Sequence, residues 1–131
     1  MGKQDIKRTI LVVDDEMEIR ESLATILTAC NYHVITAENG YEGLKSYKKK
    51  PADLVITDIL MPRMEGIEFI HKLKTENPHQ KVLVMSGGGN LKFDYLNEAR
   101  LMGADVILNK PFEKDELLET IRNIFDDQHA E

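Results

Sequence analysis

The sequence contains no tryptophan, one cysteine and four prolines in 131 residues. A lone Cys30 cannot close an internal disulfide, so a disulfide-stapled secreted scaffold is excluded and an intracellular setting is expected. No apolar run approaches the roughly 18 residues that a membrane span needs, and no signal-peptide pattern opens the chain. CxxC and HExxH spacings are missing, which leaves zinc without its usual ligands. Positive charge is not in excess: 17 basic residues face 23 acidic ones, for a net charge of −6. That balance argues against a surface built to grip nucleic acid. The apolar share of 42% with 31% charged residues is that of an ordinary globular chain, so disorder is not expected. Neither a repeat nor a linker divides it, and residues 1–131 are read as one domain with a core over about 9–125.

Five short apolar runs stand out: Ile10–Val13, Val34–Ala37, Leu54–Thr57, Val82–Met85 and Val106–Leu108. They are rich in Val, Ile and Leu and do not alternate with polar residues, as expected of strands buried on both faces. Their starts lie roughly two dozen residues apart, the length of a βα unit. Helical periodicity fills the gaps. Ile19, Leu23, Ile26, Leu27 and Cys30 form one apolar stripe, and Leu44 with Tyr47 marks a second helix entered at Asn39-Gly40. Ile67, Ile70 and Leu73 mark a third, stopped by Asn77-Pro78; Leu96, Ala99 and Met102 mark a fourth, ended by Gly103. Leu117, Leu118, Ile121, Ile124 and Phe125 mark a fifth, with a loose polar tail from Asp126. The methionines read mostly as core filler, and Cys30 as an inert apolar residue of the first helix. Strands alternating with helices predict an α/β fold: a five-stranded, doubly wound parallel sheet with five helices on its two faces.

Chemistry gathers where the strands end. Run one ends in Asp14-Asp15, run three in Asp58 and run four in Ser86; run five is followed by Asn109-Lys110-Pro111. In an open α/β sheet the carboxyl ends of the strands form the ligand crevice. Three carboxylates there repel one another, by about 4 kcal/mol per pair at ~4 Å and an effective dielectric of 20. Lys110 offsets one charge, and a hard divalent cation, Mg²⁺ or Mn²⁺, suits the remaining oxygens. A carboxylate beside such a cation, with a lysine and a hydroxyl nearby, suits phosphoryl transfer through an acyl phosphate. Asp14 and Asp15, adjacent after strand one, read as the metal pair; Asp58, alone after strand three, reads as the nucleophile. Taken singly each has a plainer reading: Asp14-Asp15 as a helix cap, Asp58 as a turn residue, Lys110 as a surface lysine. Gly87-Gly88-Gly89-Asn90 lacks a following GK[ST] and reads as a flexible loop rather than a nucleotide cradle.

With these motifs the chain resembles the receiver domain of two-component response regulators. ILVVDDE at 10–16, LVITDILMPRMEG at 54–66, VLVMSGG at 82–88 and LNKPF at 108–112 carry the likeness, in order and at βα spacing. The resemblance implies a flavodoxin-like sheet of order 2-1-3-4-5 and phosphoryl transfer from a phosphohistidine to Asp58. The donor implied is a sensor histidine kinase or a histidine phosphotransfer protein. By the same likeness Asp15 is the direct metal ligand, Asp14 acts largely through water, and the Leu60 carbonyl completes the protein's ligands. Ser86 and Lys110 contact the phosphoryl group, and the Lys110–Pro111 bond is cis. Ile107 departs from the family pattern, which often has an aromatic switch residue at this position, so coupling from Ser86 to the helix 4–strand 5–helix 5 surface is expected to use packing or loop motion. Met61, just after Asp58, is a candidate edge of a partner surface.

The implied role is a cytoplasmic phosphorylation-controlled switch rather than an enzyme, with a downstream protein target and no direct contact with nucleic acid or membrane. With no effector domain after residue 125, output is expected through protein contacts or onward transfer. A Mg²⁺-dependent phosphohydrolase is the rival, but the residue two after Asp58 is Leu60 rather than a second aspartate. A flavodoxin-type redox carrier is a second, but Asp14-Asp15 would repel a flavin phosphate.

Overall fold

The computed structural model describes residues 7–59, 66–87 and 93–130. Strands and helices alternate throughout: β1 (Thr9–Val13), α1 (Met17–Ala29), β2 (His33–Ala37), α2 (Gly40–Lys49), β3 (Leu54–Asp58), α3 (Gly66–Glu76), β4 (Lys81–Ser86), α4 (Phe93–Met102), β5 (Val106–Asn109) and α5 (Lys114–Ala130). The strands form one sheet of order β2-β1-β3-β4-β5, with every neighbouring pair parallel. This is the doubly wound, flavodoxin-like topology expected. Strand order reverses beside β1, which places the crevice over the ends of β1 and β3.

Successive strand residues point to opposite faces, and each face has its own core. Ile10, Val12, Leu54, Ile56, Leu83, Met85 and Leu108 pack with Leu23 and Leu27 of α1 and Leu117, Ile121 and Phe125 of α5. Leu11, Val13, Val55, Val82 and Val84 pack instead with Tyr47 of α2, Phe69, Ile70 and Leu73 of α3, and Ala99 of α4. Burial on both sides is why the central runs contain so few polar residues.

Local chemistry sets the helix ends. Asn39 Oδ1 accepts from the Glu42 amide at 2.8 Å and caps α2. Gly103 takes φ +125°. There its amide donates to Arg100 O at 3.1 Å and that of Ala104 to Ala99 O at 3.0 Å, a Schellman closure. The same closure ends α1 around Asn31, at φ 71°, with its amide donating to Thr28 O at 3.0 Å and that of Tyr32 to Leu27 O at 3.1 Å.

Three expectations are corrected. Cys30 lies past the end of α1 and is exposed, because the closure at Asn31 turns the chain before the stripe reaches it. Met17 is 58% and Met102 37% exposed, and Met85 is the one methionine in the core among the described residues. Met17 opens α1 over the acidic turn, beyond the sheet's apolar surface, and the small Ala99 rather than Met102 covers the sheet. From Asp126 the chain stays helical to Ala130. Glu16 precedes α1 but makes no side-chain cap bond.

Candidate functional site

The polar residues that end the strands do meet. β1 runs out at Val13, and the Asp14 amide makes a last ladder-like bond to Ala37 O at 3.2 Å. Its side chain then turns back, and Oδ1 accepts from the Glu16 amide at 2.8 Å. Asp58 is the last residue of β3, and its Oδ1 accepts from the Ile59 amide at 2.8 Å. Behind it, Thr57 Oγ1 donates to Asp58 O at 2.8 Å, and the Gly66 amide donates to Ile59 O at 2.9 Å. α3 thus starts hard against the strand end, with space there for glycine and no side chain: a Cβ on Gly66 would lie 2.5 Å from Asp58 O.

Lys110 reaches in from β5. Its Nζ lies 3.4 Å from Asp14 Oδ2, 3.3 Å from Asp58 Oδ2 and 4.0 Å from Glu16 Oε1. The Lys110 amide donates to Ser86 O at 2.7 Å, tying the ends of β4 and β5, and the following peptide bond to Pro111 is cis, as expected. Asp14, Asp15 and Asp58 each offer a carboxylate oxygen within 4.8 Å of the others. Asp14 is fully buried and Asp58 nearly so, while Asp15 is exposed.

This crowding shows in the acidities. Burial pushes the Asp14 carboxyl up; the Glu16 amide and the Lys110 charge pull it down less than that, and Asp58 adds to the rise. Burial alone would lower the Lys110 ammonium, but the Asp14 and Asp58 charges outweigh it and hold it above the usual lysine range. Ser86 Oγ is buried with no hydrogen-bond partner among the described residues. A buried hydroxyl in that state costs free energy until an acceptor arrives. The donor set is all oxygen, three-fold acidic and part-open to solvent, which fits Mg²⁺ or Mn²⁺ and does not fit zinc.

Asp14, Asp15, Asp58 and Lys110 thus converge as the sequence predicts, with Ser86 at the end of the adjoining strand. Leu60, Met61, Gly88, Gly89 and Asn90 lie outside the described residues. Ile107 stands apart from the acidic cluster, half-buried and packed against the core on the α2–α4 face. Sequence reasoning missed two residues. Glu16 adds a further carboxylate near Lys110, and Arg20 Nη1 donates to Asp14 O at 2.8 Å. Glu16 closes the ILVVDDE motif with no role assigned to it, and Arg20 lies between the apolar positions of the first helix; only their spacing of two and six from Asp14 could have singled them out. Beside Lys110 runs a groove of about 620 Å³ lined by Ile19, Leu23, Ile26, Pro111 and Phe112 among others.

Comparison with known proteins agrees with this geometry. The model of the response regulator receiver domain matches residues 10–122. The chemotaxis protein CheY of Treponema pallidum is 36% identical over 118 residues, covering 88% of this chain and 81% of that one. The sporulation initiation phosphotransferase F of Bacillus subtilis is 33% identical over 113 residues, 86% of this chain and 90% of that one. A probable transcriptional regulator, ycf27, of Pyropia yezoensis is 37% identical over 118 residues, 90% of this chain; the chain spans only 47% of that relative's length. Among solved structures, a CheY-like receiver domain protein from Methanospirillum hungatei superposes with a TM-score of 0.90 at 30% identity, covering 95% of this chain and 98% of that one. By its sequence, its sheet order and the residues at its strand ends, the chain belongs to the response regulator receiver domain family.

Proposed function

We propose that this chain is a phosphorylation-controlled switch in which Asp58 accepts a phosphoryl group from a phosphohistidine on a sensor histidine kinase or histidine phosphotransfer protein. The observation that carries the reading is the convergence of Asp14, Asp15 and Asp58 beside the Lys110 ammonium. The Ile59 amide holds Asp58 Oδ1, so Oδ2, facing Lys110, is the attacking oxygen. It bonds to phosphorus as the donor's P–N bond breaks; the imidazole nitrogen keeps the electron pair, and Asp58 becomes an acyl phosphate. Lys110 then turns from the carboxylate to the phosphoryl oxygens, and the unpartnered Ser86 hydroxyl donates to another. Asp14, Asp15 and Asp58, with the Leu60 carbonyl, would hold Mg²⁺ or Mn²⁺, Asp15 directly and Asp14 largely through water. The bound cation supplies charge neutralisation where phosphate enters an already acidic site.

Hydrolysis of the acyl phosphate at the same site resets the switch, which makes the domain a regulatory phosphoacceptor rather than an enzyme acting on other substrates. We take residues 9–125 as one receiver unit. The groove between α1 and Pro111–Phe112 opens beside Lys110, and a protein donor approaching Asp58 docks along it. Output passes to a downstream protein through the surface of α4, β5 and α5, without direct contact to nucleic acid. No helix among the described residues is long and apolar enough to cross a membrane, and the exposed free thiol of Cys30 suits a reducing cytoplasm.

Incubation with acetyl phosphate and Mg²⁺ tests the reading. The chain is expected to gain one phosphoryl group, labile to hydroxylamine as acyl phosphates are, and Asp58→Asn is expected to gain none. Label persisting in Asp58→Asn would move the acceptor to another residue.

A further inference from the structure

We infer that Arg20 is a positioning residue for the divalent-cation site, locking the β1–α1 turn so that Asp14 and Asp15 already face Asp58 before a cation arrives. The inference rests on the proposed function in one respect, that these carboxylates are the cation's ligands. Helical side chains lean toward the helix N-terminus. Arg20, whose amide closes the first turn onto Glu16 O at 3.0 Å, therefore reaches back over that turn to Asp14. Its Nη1 donates to Asp14 O at 2.8 Å, across six residues.

With that bond, Asp14 is held on three sides. Its amide is tied to Ala37 O, its Oδ1 to the Glu16 amide and its carbonyl to Arg20. The atom left to face the centre is Oδ2, 3.4 Å from Lys110 Nζ. The same carbonyl belongs to the peptide plane that leads into Asp15. Asp15 is exposed, so packing does not fix its direction and the backbone of this turn must. Mutual repulsion of the carboxylates would otherwise splay the turn outward.

A guanidinium suits the task. It stays charged at all accessible pH values. Bonded to a backbone carbonyl, it lends positive charge to the edge of the acidic cluster without occupying the place of the cation. Arg20 is half-buried, so its bond is shielded more than a surface contact would be.

The test compares wild type with Arg20→Met and Arg20→Lys. Mg²⁺ titrations are followed by the amide resonances of residues 14–17, and acetyl phosphate labelling is measured across Mg²⁺ concentrations. Arg20→Met is expected to raise the Mg²⁺ Kd about tenfold, as losses of groups that orient metal ligands do. Its labelling rate at saturating Mg²⁺ should stay within about twofold of wild type, because nucleophile and lysine are intact. Arg20→Lys, which keeps a charge and a donor, should recover most of the affinity. In cation-free protein the Asp15 and Glu16 amides should exchange faster in Arg20→Met, while those of β3 do not. Should Arg20→Met fail to fold, Arg20→Gln takes its place, since the shorter amide does not reach the Asp14 carbonyl and the same weakening is expected. Unchanged Mg²⁺ affinity in the variant that folds overturns the inference, as does a loss that Arg20→Lys leaves unrecovered. A wild-type chain with no Mg²⁺ response would instead overturn the proposed function, and this inference with it.

Discussion

Asp14 has no exposed surface, yet it shares its surroundings with the Asp15 and Asp58 carboxylates and the Lys110 ammonium. Because burial raises its carboxyl, the folded chain binds that proton more tightly than the unfolded chain does. The resulting destabilisation is absent below the ordinary carboxylate value of 3.8. It grows as pH rises toward the folded value and is complete above it. Lys110 has the opposite consequence: raised above its ordinary 10.5, it contributes stability in full below that value and loses it as pH climbs through the folded one. Asp14→Asn keeps an oxygen for the Glu16 amide and removes the buried charge. It should raise stability to urea at pH 7, because the cost of keeping that charge out of water is removed. The gain should shrink toward pH 4, and saturating Mg²⁺ should narrow it by stabilising wild type more. A gain independent of pH would show that the Asp14 charge is not its source. Asp14 and its partners were legible because each follows an apolar run, where a charge has no reason to stand unless something uses it. Arg20 and Glu16 were not, because a charged residue on an amphipathic helix, or just before its start, needs no explanation until the fold shows what it touches.

At the scale of the elements, α3 is positioned by contact with the very strand end that presents Asp58. Gly66→Ala would put a methyl group 2.5 Å from Asp58 O and 2.7 Å from Ile59 Cα. Backbone atoms cannot yield as a flexible side chain can, so helix or strand must shift. The expected cost is ~2 kcal/mol of stability, from overpacking, with displaced amide resonances at Asp58 and Ile59. Among the described residues, Gly87, after β4, has no atom other than those of its chain neighbours within 4 Å of its added Cβ, and Gly87→Ala should stay within ~0.5 kcal/mol. Equal effects of the two substitutions would refute the close-approach argument. The strands were readable to within a residue or so because burial on both faces leaves an unmixed apolar run. Helix ends were readable where asparagine caps a start, proline stops a turn or glycine takes a positive φ. The end of α1 was not, because Asn31 does glycine's work there and the apolar stripe continues one residue past it to Cys30.

Over the whole molecule, the two edges of the sheet use acid differently. At the amino ends, Asp53 Oδ2 accepts from the Thr9 amide at 2.7 Å and Asp105 Oδ2 from the Val82 amide at 2.8 Å. Each of these carboxylates satisfies an amide at the start of a strand, a structural role. At the carboxyl ends the carboxylates converge, and Lys110 must divide one charge between two of them. On the proposed function, that division would make Lys110 respond directly to a phosphoryl group on Asp58. Its backbone is tied to Ser86, and three residues earlier on β5 Ile107 belongs to the packed face that includes Ala99 of α4. On the proposed function, a pull on Lys110 would pass along β5 into the packing against α4, with no rotating aromatic ring needed. Beryllofluoride with Mg²⁺, as a phosphoryl mimic, should slow hydrogen exchange in β4, α4 and β5 of wild type. In Lys110→Ala the nucleophile and metal carboxylates remain, so labelling by acetyl phosphate should slow yet stay measurable. The protection should largely vanish, because the link from phosphoryl group to β5 is gone. If Lys110→Ala shows the wild-type pattern of protection across these elements, the lysine serves charge balance alone and the signal leaves the site by another route.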